Sequence, residues 1–136
     1  MMRSMLASGL AAVLAVGCAH DASPRGRART PYEELEARTP AILEAIDRLA
    51  ASLRAAGGEC RQLAAALRGF GDRHAAALAE LAEWKRRLSA DERERWGLDH
   101  SEDAARLEPV MAAVRPCAGD PEVDAALATA GFRDGR

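Results

Sequence analysis

At 136 residues the chain has room for one compact domain, since domains commonly run to about 100–150 residues. Alanine supplies 32 residues and arginine 18 of the 19 basic ones, against five aromatics; helix formers dominate and β-branched residues are scarce. That balance excludes a β-sandwich, a collagen-like chain and a disordered tail, and a net charge of −2 leaves no basic footprint for nucleic acid.

Residues 1–18 read MMRSMLASGLAAVLAVGC. A basic start at Arg3 precedes an apolar run from Leu6 to Val16. The run is too short for a bilayer span of about 20 residues but suits the apolar region of a secretory signal. It ends in Leu14-Ala15-Val16-Gly17-Cys18, which resembles a bacterial lipobox, with Gly17 before the cysteine and Ala15 where the pattern prefers leucine. That resemblance implies a lipoprotein signal peptide over 1–17, cleaved between Gly17 and Cys18. The Cys18 thiol then carries diacylglycerol, and its new amino group carries an acyl chain such as palmitate. Ala19 after the cysteine, rather than aspartate, implies outer-membrane delivery facing the periplasm. The competing reading is cleavage after Ala19, with Gly17 and Ala19 as the small recognition residues, which leaves a soluble exported chain.

Residues 18–30 read as the lipidated cysteine and a flexible tether, AHDASPRGRART after the cysteine, with a reach of roughly 20 Å. Thr30-Pro31 and Thr39-Pro40 each have the form of an N-cap followed by proline at the first helical position. The stripe Tyr32, Leu35, Thr39, Ile42, Ile46, Leu49, Leu53, Ala56 predicts a first helix over 31–56, kinked or restarted at Pro40 and ended by Gly57-Gly58. A second helix over 59–88 follows from the seam Cys60, Leu63, Leu67, Phe70, His74, Ala77, Leu81, Trp84, Leu88, weakened by Gly69 and Gly71.

Ser89 and Glu92 form a capping box that opens a third helix. The segment Leu88-Ser89-Ala90-Asp91-Glu92 also resembles the L-T-x-x-Q signature of periplasmic stress chaperones of the Spy and CpxP type, with serine for threonine and glutamate for glutamine. Gly97 should interrupt this helix, Asp99 should cap its restart, and Pro109 should kink the remainder. The stripe Trp96, His100, Asp103, Leu107, Val110, Val114, Cys117 continues through it. Asp120-Pro121 caps a short fourth helix, 121–130, with Gly131 as its stop. Glu44/Arg48, Glu83/Arg87, Asp91/Arg95 and Glu102/Arg106 are expected to pair four apart on outer faces. The expected architecture is all-α: an antiparallel bundle of three main helices plus a short C-terminal one, over 31–131, with 132–136 as a tail.

Setting Cys18 aside leaves Cys60 and Cys117, and an exported chain with an even thiol pair is expected to form a disulfide. If the two segments run antiparallel and Cys60 meets Cys117, Leu63 lies level with Val114, Leu67 with Val110, and Phe70 with Leu107. Three apolar pairs emerge from one assumed bond. The chain as a whole resembles small Ala/Arg-rich bacterial lipoproteins that carry a disulfide-clasped helical bundle. The resemblance rests on the signal, the cysteine pair and the ending Asp120-Pro121-x-Val123. It brings no catalytic residues with it.

The same register puts His74 opposite Asp103 and His100 beside them, a polar layer in an apolar seam. Two imidazoles and a carboxylate on facing helices suit zinc, iron or haem, while a buried His74–Asp103 hydrogen bond, with His100 at the surface near Gly97, accounts for the pairing without a ligand. No G-x-S-x-G, H-E-x-x-H, P-loop or C-x-x-C occurs, so no enzyme, nucleotide partner or redox pair is expected. The expected role is therefore a membrane-anchored, non-enzymatic structural or interaction module that meets an envelope protein partner and needs no cofactor. The alternatives are a metal- or haem-binding bundle using His74, His100 and Asp103, and a chaperone-like client binder. The last needs an exposed concave apolar face, and the stripes look only wide enough to pack each other.

Overall fold

A computed structural model describes residues 26–132. The signal segment 1–17, Cys18, most of the tether and residues 133–136 lie outside the described residues. Within them every regular element is a helix. In chain order they are α1 (Pro31–Ala55), α2 (Cys60–Arg86), α3 (Ala90–Asp99), α4 (Leu107–Val114) and α5 (Pro121–Thr129), with 3₁₀ turns at Asp103–Arg106 and Arg115–Cys117.

Each main helix starts where a side chain satisfies backbone N–H groups that have no partner within the helix. The Thr30 hydroxyl accepts from the Glu33 amide at 3.2 Å, and the Glu33 carboxylate accepts from the Thr30 amide at 2.8 Å. Arg27, in the described end of the tether, donates to the same carboxylate at 2.6 Å. This hydrogen bonding holds the Glu33 carboxyl below the usual carboxylate range, with the Thr30 backbone amide the larger cause and Arg27 adding to it. Glu59 caps α2, Ser89 and Glu92 form the predicted box on α3, and Asp120 accepts from two amides of α5. Between α1 and α2, Gly57 and Gly58 both take positive φ, as the stop requires.

Pro31 and Pro121 stand at the starts of their helices as expected, but Pro40 does not restart α1. α1 continues through Pro40 as one helix; Thr39 is not a cap, and its hydroxyl donates instead to the Leu35 carbonyl at 2.7 Å. Pro40 and Glu36, whose carbonyl loses its partner to the proline, both stay exposed, so water can serve that carbonyl. Pro109 falls in the first turn of α4, where a missing N–H costs nothing. Gly97 does not interrupt α3, which runs on to Asp99. The restart comes at the 3₁₀ turn, without help from Asp99, which accepts a hydrogen bond from Tyr32.

One core takes the predicted stripes of α1, α2, α4 and α5, with Leu53, Leu63, Leu67, Phe70, Val110 and Leu127 almost fully enclosed. α2 packs chiefly on α1 and α5, while α4 packs on α1. Cys60 and Cys117 form the disulfide, with Cα atoms 5.6 Å apart. The level pairing of α2 with α4 is nonetheless not the principal packing, although Leu63, Leu67, Phe70, Val110 and Val114 share the one core. Arg115-Pro116-Cys117 is a 3₁₀ turn, so Cys117 leaves the helical phase of α4 and the register cannot be carried back from it. The seat beside α2 goes to α5, and Gly71 lets the two backbones close: a Cβ there would lie 2.9 Å from the Thr129 carbonyl oxygen. Phe132, assigned by sequence to the tail, stacks on Phe70 with ring centres 5.5 Å apart.

Two of the four expected surface pairs form, Glu44–Arg48 and Glu83–Arg87. Arg106 leaves Glu102 for Asp47 on α1 at 2.9 Å, and Arg95 leaves Asp91 for the Tyr32 ring at 4.0 Å. Arg38 bridges Glu34 and Glu80, the latter at 2.7 Å.

Candidate functional site

A second, smaller core joins the start of α1 to α3 through Tyr32, Leu35, Leu88 and Trp96. Tyr32 meets Trp96 edge to face at 5.2 Å, with the rings 77° apart, and its hydroxyl reaches the surface to donate to Asp99 at 2.5 Å. His100, the residue that closes α3, lies one turn after Trp96 and stacks on the indole at 3.7 Å. Its Nδ1 faces the Asp103 carboxylate at 2.7 Å. A carboxylate only accepts, so Nδ1 carries the proton, and a neutral ring keeps its lone pair on Nε2.

Trp96, His100 and Asp103 line one wall of a groove of about 470 Å³. Its other walls are Leu35, Leu43 and Ile46 from α1, and Leu78, Leu81 and Lys85 from α2. The lining is mainly apolar, and the volume falls within the range of small-molecule sites, about 300–1,000 Å³. No such concave apolar face was legible in the stripes, because Leu43 and Leu78, which help to line it, lie outside them.

The predicted polar layer is only half assembled. His100 and Asp103 come together, but as neighbours three residues apart in the turn after α3 rather than across two helices. His74 sits away from them, beside Phe70 at 4.8 Å, in clefts shared with Arg48 and Arg73. The reason is the register: once α5 takes the place beside α2, nothing holds Asp103 level with His74. Among the described residues no group of three or more His, Cys, Asp or Glu side chains could hold a metal ion. Cys60 and Cys117 are bonded to each other, and Cys18 lies outside the described residues. Sequence reasoning had Trp96 and His100 in one stripe; the overlooked signal was their spacing of four, which stacks an imidazole on an indole.

Electrostatics around Tyr32 make a pH signature. Its pKa is raised above the usual 10.0, chiefly by the hydrogen bond to Asp99 and then by burial, with Arg95 opposing. A phenol that holds its proton more tightly when folded contributes stability below pH 10, and loses it as pH rises through the raised value. The melting midpoint of the wild type should therefore fall more steeply than that of Tyr32→Phe between about pH 8 and pH 11.5. Parallel thermal-melt curves across that range would show that the Asp99 bond does not discriminate between the two phenol states.

Among the described residues no helix is long and apolar enough to cross a membrane. No known protein family, curated protein or solved structure matches the chain.

Proposed function

We propose that the chain is a bacterial envelope lipoprotein, anchored through lipid on Cys18, whose helical domain acts as a non-enzymatic interaction module facing the periplasm from the outer membrane. The observation that carries this reading is the Cys60–Cys117 bond. It uses both cysteines of the domain, leaves Cys18 alone in the lipobox-like segment, and suits an oxidising compartment outside the cytoplasm. The start of the domain fits a tethered display as well: residues 26–30 are exposed, and Arg27 ties them to the first turn of α1. An antiparallel arrangement of three main helices accords with Arg38 in the first half of α1 reaching Glu80 in the second half of α2. The anchor is one cysteine carrying several acyl chains, which holds a protein on a membrane durably without any spanning helix.

The test is metabolic labelling of the full chain with radioactive palmitate in a Gram-negative host. Wild type is expected to incorporate label and to fractionate with the outer membrane, and Cys18→Ala to incorporate none. An unlabelled wild type whose purified form begins at His20 would sink the anchor and leave a soluble exported domain.

A further inference from the structure

We infer that the groove between α1, α2 and α3 binds a single-chain anionic amphiphile, its hydrocarbon tail on the leucines and its carboxylate on Lys85. The first observation concerns burial. Leu43, Leu78, Leu81 and Leu107 are the half-buried leucines among the described residues, and all four line this groove. Elsewhere leucine is either enclosed or, at Leu98, open to solvent. Incomplete burial of leucine is thus gathered in one concave place, where an apolar ligand would complete it.

The second observation is charge. Lys85 is the one lysine in a chain whose other basic residues are all arginine, and it stands on the groove with no ion pair among the described residues. The arginines nearby on α2 are engaged: Arg86 and Arg87 both pair with Glu83. Asp103, the acidic lining residue, is already held by His100. An anionic head is therefore attracted at the Lys85 end. Leu78 lies two turns back along the same helix, about 10 Å away at 1.5 Å per residue, where the tail would run. An extended peptide fits less well, because an all-helical lining offers no strand edge for backbone pairing.

The inference does not depend on the anchor, and its test works with or without lipid on Cys18. Membranes from cells expressing the full chain are washed free of nucleotide and thiol cofactors, so that an added fatty acid stays a free carboxylate. They are then irradiated with a diazirine-bearing hexadecanoate or with the matching alcohol, and adducts are mapped by peptide mass spectrometry. Wild type should carry adducts on the peptides bearing Leu43, Leu78, Leu81 or Leu107, about fivefold more with the carboxylate than with the alcohol, and unlabelled dodecanoate should compete. Lys85→Glu should erase the preference while Lys85→Arg retains it. Ala82→Trp, which places an indole in the groove from an exposed lining position, should abolish labelling by both probes while circular dichroism reports a folded domain.

Each methylene added to a competing carboxylate should tighten competition by up to about fourfold until the groove is full. Adducts confined to residues 1–25, labelling spread evenly over the surface, or equal labelling by acid and alcohol would each overturn the inference. Crosslinks between these same peptides of two copies of the chain, formed when a bifunctional crosslinker replaces the probe, would also overturn it, in favour of self-association.

Discussion

Reduction of the Cys60–Cys117 bond is expected to lower the thermal unfolding midpoint by roughly 20 °C. The bond joins residues 57 apart in sequence, and closing a loop of that length removes about 4 kcal/mol of chain entropy from the unfolded state. In a domain of about 100 residues each kcal/mol is worth about 4–8 °C. The position of the bond adds to the effect. Cys117 is buried in the 3₁₀ turn that follows α4, and the chain beyond it must return to bring α5 against α2, so releasing the clasp frees the approach of both helices. Thermal melts with and without reductant, and of the Cys60→Ala/Cys117→Ala double variant, measure it. A midpoint that moves by less than about 5 °C would mean that packing alone closes the bundle.

Two glycines of α2, two residues apart, should respond to alanine with opposite signs. Gly69→Ala is expected to stabilise by up to about 1 kcal/mol, because alanine is the better helix former and the added methyl meets only the flexible end of Arg73 at 3.6 Å. Gly71→Ala gains the same propensity but drives a Cβ to 2.9 Å from the Thr129 carbonyl oxygen and 3.2 Å from its carbonyl carbon. Backbone cannot swing aside as a side-chain end can, so α5 must move off α2 and disturb the contacts of Leu127 and Phe132 with the core. Overpacking of this kind typically costs about 1–3 kcal/mol, which should leave a net loss. Denaturant melts of the two variants give the comparison directly. A stabilised Gly71→Ala would show that α5 is not held against α2 as closely as described.

The difference between those glycines illustrates how far the sequence could be read. As residue types in a helical window the two are equivalent, each simply a weakness in a helix. Only the arrival of α5, from more than fifty residues away in the chain, makes one of them necessary. His74 and Asp103 teach the same lesson from the other side. Their spacing along two stripes was sound, and both stripes do enter the fold, but the level at which two helices meet is set by the turn that joins them. The 3₁₀ turn at Arg115–Cys117 shifted that level and let α5 intervene. Arg95 and Arg106 also left the expected partners four residues away for Tyr32 and Asp47 on a neighbouring helix. A surface pair within one helix contributes only a few tenths of a kcal/mol, so any tertiary partner of comparable strength displaces it.

What the sequence determined by itself is what depends on near neighbours in the chain. The helical class followed from composition, and the stripes of α1 and α2 from periodicity. The starts at Thr30, Ser89 and Asp120 followed from hydroxyl and carboxylate groups placed two or three residues before the amides they serve. The disulfide was legible too, because setting Cys18 aside leaves two cysteines, which admit one pairing. What only the tertiary structure decided is what depends on helix against helix: the place of α5 beside α2, the pairing of His100 with Asp103 rather than of His74 with it, and the groove under Trp96. Each is set by how short helices stack at their joints, and small differences in turn geometry there are amplified along the length of the next helix. The one lysine of the chain could be counted from the sequence, but the four incompletely buried leucines beside it appear only when three helices fail to close the space between them.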